Sequence, residues 1–211
     1  MSRDNILHKV RTALGRSPSQ PVPPPPPVRI QVPDVPMEDR IASMMFRLNE
    51  LNGKTHRVAT MDAAREVVAG IIAGKTCLAS NSPYLAECGI SSLPGVTTGI
   101  TDLATLRQSA ASVDIGITSA DYALSDTGTL VMISSPAEAR LISLLPFHHV
   151  AIVPRERILT SLDELFSVLP HPAEQSSSMV LITGPSRTAD IELVLVRGVH
   201  GPGFITVVIV G

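Results

Sequence analysis

Tryptophan is absent, and only two tyrosines and four phenylalanines occur among 211 residues. With aromatics at 3%, there is too thin a platform for stacking single-stranded bases, and a core must be built from Val, Ile, Leu, Ala and Met. Cysteine is scarce as well. Cys77 and Cys88 are separated by ten residues with no CxxC pair, which is too few for a disulfide framework or a cluster held by four thiolates. Positive charge is not in excess, with 17 Lys and Arg against 19 Asp and Glu, and no basic run marks a nucleic-acid partner. No apolar run is long enough to span a bilayer, and no secretory pattern opens the chain, so the expectation is a cytoplasmic protein. GxGxxG, GxxxxGKS/T, GxSxG and HExxH are all missing, and the six histidines are scattered. The residues therefore predict no metal site and no redox cofactor in this chain.

What is present is globular: 44% apolar residues and 17% charged. Three segments follow from the pattern. Residues 1–16 hold an amphipathic helix, with Ile6, Leu7, Val10, Ala13 and Leu14 near one face and Gly15 to end it. Residues 17–36 take half of the chain's 18 prolines, including Pro23 to Pro27, and predict a stiff polyproline linker. Residues 37–211 alternate between helical and strand periodicity. Helices are expected at 37–51, 60–74 (capped by Thr60), 102–110 and 161–169, the last opened by a Ser161–Glu164 capping box. Strands are expected at 55–59, 75–80, 113–118, 128–134, 149–153, 179–183, 191–197 and 204–210, with the last three reading as buried on both faces. The fold class is α/β: an open, mainly parallel sheet with helices on both faces, where ligands bind at the carboxyl ends of strands.

Several loops could carry chemistry. In the loop from Ser119 through Asp121 to Thr129, between two strands, Asp126, Thr127 and Thr129 surround Gly128 with an acceptor and two hydroxyls, either a small-anion cradle or a hydrogen-bonded turn. After the strand ending at Thr183 come Ser186, Arg187, Thr188 and Asp190. Arg187 suits a carboxylate, with Asp190 to orient it, or else the Arg–Asp pair braces the loop. His200 stands in the turn Arg197-Gly198-Val199-His200-Gly201-Pro202-Gly203, free to reach a ligand or simply exposed. Arg140, with His148 and His149, forms a fourth polar group at the start of a strand.

Three strings, ADYALSDTGTL, ARLISLLPFHHVAIV and GPSRTADIELVLVRGVHGPGFITVVIV, together resemble the lactate-utilisation (LUD) domain family, from about residue 37 onward. The family pattern usually has Glu before Thr-Gly-Thr; Asp126 keeps the charge with a reach one methylene shorter. The resemblance implies a fold like that of the ribose-5-phosphate isomerase, glucosamine-6-phosphate deaminase and CoA-transferase superfamily. It also implies participation in oxidation of L-lactate to pyruvate beside partner proteins that carry iron–sulfur clusters. This chain would then be a non-redox component binding a small carboxylate or phosphate, or the partner subunits. The competing expectation is a stand-alone transferase or isomerase acting on a small anionic or CoA-linked substrate, with Asp126, or Glu138 in second place, as nucleophile or base.

Overall fold

The computed structural model describes residues 2–17, 30, 32–189 and 195–211. Most of the proline-rich linker, and the 191–194 portion of one expected strand, lie outside the described residues. The N-terminal helix α1 (Arg3–Ala13) starts at Ser2, whose hydroxyl accepts from the Asn5 amide at 3.4 Å, and it buries none of its residues. Ile6, Val10 and Leu14 are exposed along one stripe.

The body is organised on six parallel strands. β1 (Lys54–Val58), β2 (Cys77–Ala79), β3 (Val96–Thr97), β4 (Ile115–Ser119), β7 (His148–Pro154) and β12 (Phe204–Val210) stand in the order β1-β12-β7-β4-β2-β3. The period of two decides which residues go to which face. In β7, Val150 and Ile152 join one core while Ala151 and Val153 join the other; in β12, Val208 and Val210 oppose Val207 and Ile209. Both faces of these strands are thus covered, which is why they read as unbroken apolar runs.

On the first face lie α3 (Met61–Ile72) and α4 (Pro83–Glu87). α3 begins where the Thr60 hydroxyl accepts from Ala63 N at 3.2 Å, and it buries Ala64, Val68 and Ile72, one turn apart. On the other face, α2 (Met37–Glu50) contributes Ile41, Met44 and Leu48. There too, α5 (Leu103–Ser112) and α6 (Arg140–Leu144) cover Leu78 of β2 with Leu106, Ala110 and Ile142.

A second sheet shares that face with α2. β5 (Tyr122–Leu124), β6 (Thr129–Ile133), β8 (Ile158–Leu159) and β9 (Met179–Ile182) are ordered β8-β5-β6-β9, and β6 is antiparallel to both of its neighbours. The α/β class with helices on both faces is the one expected, but the strands foreseen at 128–134 and 179–183 belong to this smaller sheet. β9 is only half buried, with Leu181 41% exposed, because only one face of the small sheet meets the main core. α7 (Leu162–Val168) closes part of its outer face through Leu165.

The capping box expected at α7 takes a different form. Ser161 makes no cap bond, and Glu164 instead accepts from Thr160 N at 2.6 Å and Thr160 Oγ1 at 2.7 Å. A short antiparallel pair, β10 (Arg187–Ala189) with β11 (Leu195–Arg197), stands apart from both sheets.

Candidate functional site

At the carboxyl end of the parallel sheet, Ser80 follows β2 and Ser119 closes β4. Glu138 reaches them from the loop between β6 and α6. The Ser135 hydroxyl accepts from Glu138 N at 2.9 Å, and Asn81 N donates to Ala137 O at 2.9 Å, so the loop is tied both to itself and to the end of β2. Glu138 Oε1 accepts from Ser119 N at 3.0 Å and Ser119 Oγ at 2.8 Å, while the Ser82 and Ser119 hydroxyls meet at 2.7 Å. Glu138 is only 8% exposed, and burial pushes its carboxyl above the usual range against the opposing bonds from Ser119. Its second oxygen, Oε2, is buried with no hydrogen-bond partner. The Ser80 hydroxyl is buried and turned toward the same carboxyl, where it opposes the effect of burial.

Glu138, Ser82 and Ser119 line a cavity of about 300 Å³ shared with Tyr84, Asp121 and Arg157. Asp121 is turned toward the small sheet, where its Oδ2 accepts from Ile133 N at 2.6 Å; burial raises it too. Arg157, on a single 3-10 turn after β7, is exposed and makes no ion pair among the described residues. The arrangement joins an exposed cation to a floor of buried hydroxyls and a carboxyl held toward its protonated form.

The residues singled out in the sequence lie elsewhere, and most of them together. Thr127 Oγ1 donates to Asp126 Oδ1 at 3.2 Å. The hydroxyls of Thr127 and Thr129 lie 2.8 Å apart, and those of Thr129 and Thr183 lie 2.7 Å apart. The series of hydroxyls ends on Thr183; the next residue, Gly184, packs against Leu51 at the end of α2, and Arg187 donates through Nη2 to the Leu51 carbonyl. Gly128 is required by position, since it has φ +69° and a Cβ there would stand 2.8 Å from Leu48 N. The Gly184 loop is in turn laced to the histidine turn: Ser186 N donates to Pro202 O at 2.9 Å, and Gly198 N to Ser186 O at 3.2 Å.

His200 is exposed, and Phe147 lies over Gly198 and Gly203 of the same turn, which leads into the amino end of β12. This cluster therefore sits away from the carboxyl end where the strand rule directs attention. Asp126 also borders an open cleft of about 830 Å³ with Val35, Ser43 and Ser161. Arg140, at the start of α6, donates to Ser178 Oγ at 3.3 Å and joins neither group. Thr188 lies on β10, and Asp190 is outside the described residues.

Glu138 stood second to Asp126 in the sequence, Ser119 and Asp121 lay in the candidate loop of residues 119–129 without a role of their own, and Ser80, Ser82 and Arg157 were not singled out. One signal could have found some of them: hydroxyl residues immediately after two predicted strands, at the end where such sheets bind ligands. His148 and His149 are spent on the sheet itself. His149 is fully buried with Nε2 2.8 Å from Thr118 Oγ1, and burial pushes it down to about 3; His148 Nε2 lies 2.9 Å from Thr206 Oγ1. Among the described residues no His, Cys, Asp and Glu gather in a group able to hold a metal ion.

Fold and pocket together define an open parallel α/β domain with its polar cavity at the carboxyl end of the sheet. A family model described as LUD domain matches residues 41–210, and the chain belongs to that family. Proteins named lactate utilization protein C are similar to it. The one from Halalkalibacterium halodurans is 41% identical over 101 residues, covering 46% of this chain and 44% of that protein. The one from Anoxybacillus flavithermus is 29% identical over 176 residues, covering 82% of this chain and 79% of that protein. Over the three strongest of these matches the chain spans under half the length of the relative, at 44%, 47% and 41%. A crystal structure of a DUF162 family protein from Deinococcus radiodurans shares the fold, with a TM-score of 0.67 at 15% identity, covering 84% of this chain and 99% of that one.

Proposed function

We propose that this chain serves in lactate utilisation as a component that does not itself carry the electrons, binding a small carboxylate and working beside iron–sulfur proteins. The observation that carries this reading is the likeness to a lactate utilization protein C across 82% of the chain and 79% of the relative. The thiols support the second half of the statement. Cys77 and Cys88 are both buried and free, and burial pushes Cys77 up to about 11, so neither offers the exposed thiolate that a cluster needs.

Deleting the gene in a strain with no other lactate dehydrogenase is expected to abolish growth on L-lactate while growth on pyruvate continues. Unimpaired growth on L-lactate refutes the reading. Anaerobic affinity purification of the tagged chain addresses the partners, which are expected to arrive as brown iron–sulfur proteins.

A further inference from the structure

We infer that the pocket formed by Glu138, Ser82, Ser119 and Arg157 binds a small carboxylate that also bears a hydroxyl or carbonyl oxygen. The ligand's carboxylate meets Arg157 and its second oxygen meets Glu138. The inference rests on the lactate reading for its choice of ligand, and gives that reading a site.

Three observations converge on it. A buried carboxyl with one oxygen satisfied twice and the other without a hydrogen bond is an unfinished hydrogen-bonding group. Burial holds Glu138 toward its protonated form, so Oε2 accepts from a ligand hydroxyl or donates to a ligand carbonyl. The unpaired guanidinium on the same cavity supplies the planar fork that a carboxylate fits.

Size limits the ligand. At about 300 Å³ the cavity is at the lower end of ligand pockets, which suits a molecule of a few heavy atoms. Of the other charged and titratable groups on this cavity, Asp121 is near enough for its charge to interact with Arg157 but closes no ion pair with it, Glu87 is exposed to solvent, and burial keeps Tyr84 in its neutral form, so the planar fork stays open to a ligand carboxylate. The larger cleft at Asp126 is a poorer match, because it is lined by Asp126 and Asp163 with no cationic side chain. The cavity at Arg140 has a cation but no buried unpartnered group to receive a second oxygen.

The test is calorimetric titration of the full chain with L-lactate, pyruvate, acetate and inorganic phosphate, for the wild type, Arg157→Ala and Glu138→Ala, with folding checked by circular dichroism. Lactate and pyruvate are expected to bind, with acetate roughly tenfold weaker for want of its second oxygen. Arg157→Ala is expected to weaken lactate by roughly tenfold or more, and in Glu138→Ala lactate binds no better than acetate. Arg157 is exposed, so its variant carries the test if Glu138→Ala does not fold. Lactate affinity unchanged by Arg157→Ala overturns the site while leaving the lactate reading intact. Phosphate binding as tightly as lactate overturns the ligand class. No heat with any of the four probes overturns the inference, and the lactate reading then stands or falls on growth of the deletion strain.

Discussion

His149 shows how a single buried side chain makes the fold sensitive to acid, with burial lowering the neighbouring His148 in the same direction. It lies fully buried in the second position of β7 between two neighbouring strands, bonded to Thr118 and denied water, so its imidazole stays neutral in the folded protein. The unfolded chain binds a proton near pH 6.5, whereas the folded one resists until about pH 3. Between those values the unfolded state holds the extra proton, so stability falls as the pH falls, by about 1.4 kcal/mol per pH unit for one group. Denaturant titrations from pH 7 to 5 are expected to show this slope in the wild type and a slope shallower by about one proton in His149→Gln. Equal slopes for the two proteins would show that His149 titrates normally. Glu138 and Asp121 act in the opposite sense. Burial raises both, so the stability they contribute is present below the ordinary carboxylate range and is lost as the pH rises through their raised values.

Secondary elements meet in this protein by close backbone approach and by a few part-buried polar ties. α6 rests directly on β4: a Cβ added at Gly116 would stand 2.0 Å from the Ile142 carbonyl, which no side-chain adjustment can relieve. Gly116→Ala is therefore expected to cost at least about 2 kcal/mol by forcing the helix off the sheet. Gly70 supplies the control, since it lies on the exposed side of α3 with nothing within 4 Å of the added carbon. Gly70→Ala is expected to stabilise by about 0.5–1 kcal/mol, and urea midpoints for the two variants should move in opposite directions. α2 and α7 are joined differently. Arg40 Nη1 sits 3.0 Å from Glu164 Oε1, both side chains about 15% exposed, and Arg40 Nε donates to Val35 O at 2.8 Å. α2 was legible as an element from Ile41, Met44 and Leu48. Its polar tie to α7 was not, because Arg40 and Glu164 are 124 residues apart and nothing local couples them.

On the scale of the whole chain, the two large cores on either face of the main sheet draw, among the described residues, on side chains from α2 onward. α1 buries nothing, and no helix among the described residues is long and apolar enough to cross a membrane. Removing residues 1–17 is expected to leave the unfolding midpoint within about 2 °C of the full chain, because none of the described residues in that segment is buried. A larger drop in a thermal melt would mean that the N-terminal segment packs on the body.

The sequence by itself determined the α/β class, the N-terminal helix, α3 and its Thr60 cap, and the central strands β7 and β12. The helices are written in local periodicity and β7 and β12 in continuous apolar runs, a signal that the half-buried β9 shares. It also marked the loops at Gly128 and Gly184, which the Thr129–Thr183 hydroxyl contact brings together. Only the tertiary structure decided that β6 and β9 leave the parallel sheet for a second one. Strand periodicity is the same in either sheet, and the partner is chosen by long-range pairing. It also decided that the turn carrying His200 faces the amino end of the main sheet. Ser80, Ser119 and Glu138, drawn from three separate stretches of chain, converge at the carboxyl end through strand order, which no spacing in the sequence encodes.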